Sequence, residues 1–392
     1  MILLPSGFKA AGISAHIKKS GKKDLALFYS QVPCVASAFF TSNKIQAAPL
    51  RVCQEHLKKG AVQALVVNSG NANCMTGAQG KKDALLTAHL TAQELALKDH
   101  KVLVSSTGII GKPLPMDKIK AALPSLVREL SFNGLCHAAG AILTTDTFSK
   151  ICCKKFNLDG KQVVISGVAK GAGMVAPVLK SATMLAFVFT DVHITKSALD
   201  KLSKEALEDT FNAVTIDGCM STNDTVVVLA NGRAKNPLVR VGTKEALVFG
   251  RALKEVCLKL AKMIVEDAEG ATKFIQIDVR GAKTDTEAKD LGLSVANSNL
   301  FKCAMFGSDP NWGRIAAALG SVSSGLCWEK LDISLNQRPV FKNGKPVIIK
   351  DNKFLKGRNI QVEIDLHQGK KEKSVYTSDL SYGYVKINAD YN

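Results

Sequence analysis

The chain has 392 residues, 46% of them apolar and 22% charged, a size and composition that allow a substantial core in one or two domains. Its formal charge of +18 raises the question of nucleic acid. However, the lysines cluster in apparent turns (Lys18, Lys19, Lys22 and Lys23; Lys370, Lys371 and Lys373) and only 6% of residues are aromatic, so stacking platforms are lacking and a solvated basic surface is expected, with no nucleic-acid partner.

In chain order, Asp24 to Phe40 reads as strands with a turn at Gln31-Val32-Pro33, and Ala61 to Val67 as a buried strand. Asn68-Ser69-Gly70-Asn71-Ala72-Asn73 reads as a loop of small turn formers, followed by a helix from about Lys81 to Leu97. Val102 to Val104 is a short strand ending in the small-residue loop Ser105-Ser106-Thr107-Gly108. Pro113 and Pro115 mark the entry to a helix with Ile119, Ala122, Leu123 and Leu126 on its apolar face. Gln162 to Val168 is a strand that leads to a glycine-rich loop, and Thr183 to Thr190 is a continuous apolar strand. Helices are expected over about Ser197 to Phe211, Lys244 to Glu266 and Asp285 to Lys302. Strands are expected at Val226 to Leu229 and Phe274 to Val279. Beyond the third helix come a Gly/Pro-broken loop and, over Leu331 to Ile387, mostly β-hairpin material. This alternation predicts a mixed-sheet α/β protein with several antiparallel pairs.

No apolar run approaches the roughly 18 residues of a membrane span, and Met1 to Pro5 lacks the basic start of a signal peptide. The ten cysteines form no Cys-x-x-Cys pair, and the seven histidines form no metal-spaced motif. A reduced, cytoplasmic protein without disulfides, metal or membrane partner is therefore expected. Gly171-Ala172-Gly173-Met174-Val175-Ala176 matches the dinucleotide-binding pattern G-x-G-x-x-A, yet Pro177 follows at once where that pattern needs a helix, so a dinucleotide fold is not expected.

The informative pair is Ala182-Thr183 at the head of the apolar strand. A strand threonine is ordinarily structural, and its hydroxyl is a poor nucleophile without a base beside it. Cutting the Ala182–Thr183 bond would supply one, since the new α-amine has an unperturbed pKa of about 8. The hydroxyl itself could make the cut, by attacking the Ala182 carbonyl and forming an ester that water opens.

Read together, the ordered motifs resemble the ornithine acetyltransferase family, also called bifunctional glutamate N-acetyltransferases. The likeness runs from Gly7-Phe8-Lys9-Ala10-Ala11-Gly12 through Asn68 to Asn73, Ser106-Thr107-Gly108, Thr144-Thr145-Asp146-Thr147 and Lys170 to Met174. It continues through Ala182-Thr183, Ser221-Thr222-Asn223-Asp224, Glu269-Gly270-Ala271-Thr272-Lys273 and Asp309 to Arg314.

The resemblance implies an α/β sandwich that cleaves itself between Ala182 and Thr183 into α (1–182) and β (183–392) chains, intertwined and assembled as an α2β2 heterotetramer. It implies acetyl transfer from N2-acetylornithine to glutamate in arginine biosynthesis, through an acetyl-Thr183 intermediate, with no cofactor. Acetyl-CoA is left open as a second donor. Thr107 and Gly108 match the oxyanion hole; Thr144, Lys170, Thr183, Glu269 and Asn388 match substrate-binding positions.

Three positions depart from the family pattern. The connector Pro177 to Ala182 is two residues longer, Cys219 stands where the family has a second Asp after Asp217-Gly218, and a C-terminal substrate contact is expected to be missing or replaced after Asn392. Two rival readings are a self-processing hydrolase or aminopeptidase, in which water replaces glutamate, and a homologue that binds amino acids without cleaving itself.

Overall fold

The computed structural model describes residues 3–176, 184–322 and 325–390. The described chain divides into two compact units. One holds the described residues of Met1–Gly171, Val178–Asn212 and Met220–Ala261, and the other those of Ala172–Pro177, Ala213–Cys219 and Lys262–Asn392.

In the first unit the strands are β1 (Phe8–Ile13), β2 (Leu25–Phe40), β3 (Val62–Asn71), β4 (Val102–Ile109), β5 (Lys150–Leu158), β6 (Lys161–Lys170), β7 (Leu185–Thr190) and β8 (Thr225–Ala230). They form one mixed sheet in the order β4-β3-β2-β8-β7-β6-β5, with β1 also on β2. The β3/β4 and β7/β8 pairs are parallel and the others antiparallel. Helices α1 (Ala48–Leu57), α2 (Gly77–Glu94), α3 (Met116–Arg128) and α4 (Leu135–Ala141) share its main apolar core, where Val52, Ala88, Leu123 and Ala138 join Leu27, Leu65, Leu103 and Phe187. Phe28 stacks on Phe189 at 4.8 Å between ring centres. Helix α5 (Lys196–Glu208) and residues up to Ala261 of α6 (Lys244–Glu266) complete the unit.

The second unit contains β9 (Phe274–Ala282), α7 (Asp285–Ala296), α8 (Asn299–Phe306), α9 (Trp312–Gly320), β10 (Asp332–Leu335), β11 (Arg338–Lys342), β12 (Lys345–Pro346), β13 (Asn359–Asp365), β14 (Lys371–Ser378) and α10 (Tyr382–Ala389). Its sheet runs β12-β11-β10-β13-β9-β14, with β13 and β9 parallel. Ile277, Val279, Leu291, Phe301, Leu319 and Val362 lie in one buried core between this sheet and α7, α8 and α9. The mixed α/β architecture expected from the sequence is what both units show.

Several elements differ from expectation, each for a local reason. No turn interrupts β2 at Pro33. The strand runs on through a shift in its pairing with β3 between Tyr29 and Cys34, so a residue without an N–H falls where the ladder is already broken. The two small-residue loops are strand ends, because Asn68 to Asn71 pairs with Ser106 to Ile109 in parallel register. The long helix from Asp285 is two helices: Asn297 ends α7, and Ser298 restarts the chain by accepting from the Phe301 N–H. The Gly/Pro-broken stretch contains α9, with Pro310 just ahead of it. The C-terminal hairpin material closes with helix α10, capped by Ser381, whose hydroxyl accepts from the Tyr384 N–H. Among the described residues, no helix is long and apolar enough to cross a membrane.

Candidate active site

In the first unit the parallel ends of β3 and β4 carry two glycines in direct register, Gly70 and Gly108. Gly108 has a φ of +133°, and a side chain there would start 2.4 Å from the Gly70 backbone. The approach is therefore closed to every other residue. The ends are pinned by amides: Asn223 Nδ2 donates to Ala72 O at 2.6 Å and to Ser106 O at 2.8 Å, while Ser106 Oγ donates to Asn68 Oδ1.

Thr107, buried beside Gly108, accepts from Lys170 Nζ at 3.0 Å. That bond uses an oxygen lone pair and leaves the hydroxyl proton of Thr107 as a donor. Lys170 ends β6, and the next residue, Gly171, donates its N–H to Asp146 Oδ1 at 2.7 Å. Asp146 also accepts from Lys150 Nζ at 2.6 Å and from the Thr144 N–H at 3.0 Å. Burial works to raise the Asp146 carboxyl, but Lys170 and Lys150 outweigh it and hold it down at about 2. Lys18 lies in the same unit, and burial pushes its ammonium down to about 8; Lys170 and Lys22 add to that shift, and Asp24 and Asp146 oppose it. Asp224 is fully buried, and burial holds its carboxyl well above the usual range despite Ser221, Lys170 and Thr41.

In the second unit Glu269 is buried, its N–H donates to Ala172 O at 2.9 Å, and its Oε2 accepts from Asn388 Nδ2 at 2.8 Å. A side chain on Gly173 would collide with the Glu269 carboxylate at 2.4 Å, so this glycine makes room for the acid. Asp217 accepts from three backbone N–H groups, those of Met174 (2.6 Å), Val175 (3.0 Å) and Cys219 (3.0 Å), and from Tyr384 Oη at 3.2 Å. Burial, then the charge of Asp217, raises the Tyr384 phenol. Tyr384 and Asn388 are four apart on α10, hence on one face of the helix.

The structure thus brings Thr107, Lys170 and, through Gly171 and Asp146, the Thr144 backbone together by hydrogen bonds, with Gly108 next to Thr107 in the chain, and brings Glu269 and Asn388 into a second group. Ala182 and Thr183 lie outside the described residues, as does the connector from Pro177. The Gly171 to Ala176 run is described and holds no helix, and the residues that follow it, 177–183, lie outside the described ones. Sequence reasoning gave no role to Lys18, Asp146, Asn223 or Tyr384; Asp146 and Asn223 stand inside the motifs that were recognised. Among the described residues no group of three or more His, Cys, Asp or Glu is placed to hold a metal.

A family profile described as the ArgJ family matches residues 9–392. The chain is 46% identical over 390 residues to the arginine biosynthesis bifunctional protein ArgJ of Geobacter sulfurreducens, covering 98% of each chain. Among solved structures it is 41% identical to arginine biosynthesis bifunctional protein ArgJ from Bacillus halodurans, over 44% of this chain and 91% of that one, with a TM-score of 0.42. It is 38% identical to ornithine acetyltransferase from Mycobacterium tuberculosis complexed with ornithine, over 44% of this chain and 92% of that one, with a TM-score of 0.39.

Proposed function

The chain belongs to the ArgJ family, and from that premise we propose that it moves an acetyl group from N2-acetylornithine to glutamate through Thr183, in arginine biosynthesis. Activation begins with the Thr183 hydroxyl attacking the Ala182 carbonyl. The C–N bond breaks, an ester forms, and water opens it to leave Thr183 with a free α-amine. In each turnover that amine takes the hydroxyl proton while the oxygen attacks the acetyl carbonyl of N2-acetylornithine. The C–N bond of the donor breaks, ornithine leaves with the proton, and the acetyl ester then passes to the amino group of glutamate.

The observation that carries the reading is the Lys170–Thr107 hydrogen bond beside Gly108. It leaves a polarised hydroxyl donor of the kind that stabilises a tetrahedral oxyanion, where one donor is worth roughly 10²–10³ in rate. Lys170, with Thr144 as a neutral contact, supplies a charge that suits an amino acid's carboxylate, and Glu269, with Asn388, supplies one that suits an ammonium group. We place the enzyme in the cytoplasm, with its α and β pieces assembled as α2β2 and no metal or organic cofactor called on. Acetyl-CoA as a second donor is a matter for the same assay.

The test is denaturing mass spectrometry of the purified protein beside Thr183→Ala, joined to a transfer assay. Wild type is expected as two pieces divided before residue 183 that acetylate glutamate, and the variant as one inactive chain. An active enzyme that remains one intact chain would sink the proposal, and acetate release without need of glutamate would make the protein a hydrolase.

A further inference from the structure

Thr144 is joined to Leu143 by a peptide that two charged side chains hold from opposite ends. The Leu143 carbonyl accepts from Lys18 Nζ at 2.7 Å, and the Thr144 N–H donates to Asp146 Oδ2 at 3.0 Å. These are the two polar groups of one planar unit, so fixing both fixes its tilt as well as its position. The anchors come from separate parts of the chain. Lys18 stands in the connector between β1 and β2, where its Nζ also donates to Lys23 O at 3.0 Å. Asp146 is held by Lys150, and both side chains are wholly buried. The second oxygen of Asp146 takes the Gly171 N–H, so the same carboxylate also fixes the backbone beside Lys170.

We infer that Lys18 and Asp146 form a clamp on the Leu143–Thr144 peptide that sets Thr144 and Lys170 at the spacing an α-amino-acid substrate requires. Both are positioning residues. The inference rests on the reading of Thr144 and Lys170 as substrate-binding groups.

The stretch between α4 and β5 has no ladder of its own to hold it, and a shift of about 1 Å in a binding group can cost on the order of 100-fold. Replacing Asp146 by Asn leaves one carbonyl oxygen for three donors and turns an N–H₂ toward the rest. Replacing Lys18 by Met removes the only donor that this side chain offers to Leu143 O, whereas Arg keeps one. Losing one charge-assisted hydrogen bond of this kind corresponds to roughly a 10- to 100-fold change in an equilibrium constant.

The experiment uses the full chain in four forms: wild type, Lys18→Met, Lys18→Arg and Asp146→Asn. KM for N2-acetylornithine is measured in the transfer assay, and Kd for ornithine by calorimetry. Lys18→Met and Asp146→Asn are expected to raise both constants about 10-fold or more, and Lys18→Arg less than about 3-fold. A merely structural role would lower the folded fraction, and with it kcat, while KM and Kd stay put. That outcome overturns the clamp. Should Asp146→Asn not fold, the Met and Arg variants of Lys18 decide alone. A wild type that binds ornithine but transfers no acetyl would sink the transfer reading and leave the clamp to be judged on Kd. A wild type that binds no ornithine overturns both.

Discussion

Thr107 accepts a hydrogen bond from an ammonium and keeps its own proton to donate, which is the state an oxyanion donor needs. Thr107→Ala is expected to lower kcat for acetyl transfer by roughly 10²–10³, and Thr107→Ser to retain most of it, because serine keeps the hydroxyl and loses only a methyl. Steady-state kinetics with both variants would check this; an alanine variant within about 3-fold of wild type would remove Thr107 from the chemistry. The candidate residues stand in motifs legible in the sequence, but their pairings do not. Lys170 reaches Thr107 across 63 positions, and Asn388 reaches Glu269 across 119, and no local pattern encodes contacts at such separations.

Helix α10 has no buried residue, so packing alone does not explain why it is seated. It is held at its start, where Gly270 at φ +65° allows the backbone of Gly383 and Tyr384 to approach within 2.3–2.4 Å of where a side chain would begin. Ser381 Oγ donates to the carbonyl of the same Gly270. A Gly270→Ala change adds a collision with backbone to a strained left-handed conformation, itself worth about 1–3 kcal/mol. The amides of Tyr384 to Asn388 are then expected to exchange roughly 5- to 150-fold faster, as read by hydrogen exchange; unaltered protection would show that the helix is held by something else. The sequence suggested hairpin here because alternating Val, Tyr and Ile suit a strand as well as a short helix. The cap at Ser381 decides for the helix. The divided helix at Ser298 has the same cause, a side-chain hydroxyl competing for backbone N–H groups.

At the scale of the whole molecule, the proposed cut falls, in sequence, between two strands of one sheet. Strands β6 and β7 stand on either side of it in sequence and pair antiparallel from Ile165↔Thr190 to Lys170↔Leu185, and β8 then pairs with both β7 and β2. Each piece would therefore hold strands whose neighbours belong to the other, and their buried faces share one apolar core with Phe28, Phe187 and Phe189 in contact. The cleaved pieces are expected to co-elute in native gel filtration and to separate only in denaturant. Separation under native conditions would show that the sheet does not hold them.

By itself the sequence determined the mixed α/β class, the unbroken apolar strand at β7 and the order of the motifs that mark the family. These are properties of neighbouring residues: periodicity, glycine placement and residue type. Only the tertiary structure decided that β2 runs past Pro33, that the small-residue loops are paired strand ends, and that Lys18 reaches a carbonyl 125 residues away. The physical reason is that a buried peptide group takes whichever partner the closed chain brings to it, and that choice depends on how strands order themselves in the sheet rather than on any local preference.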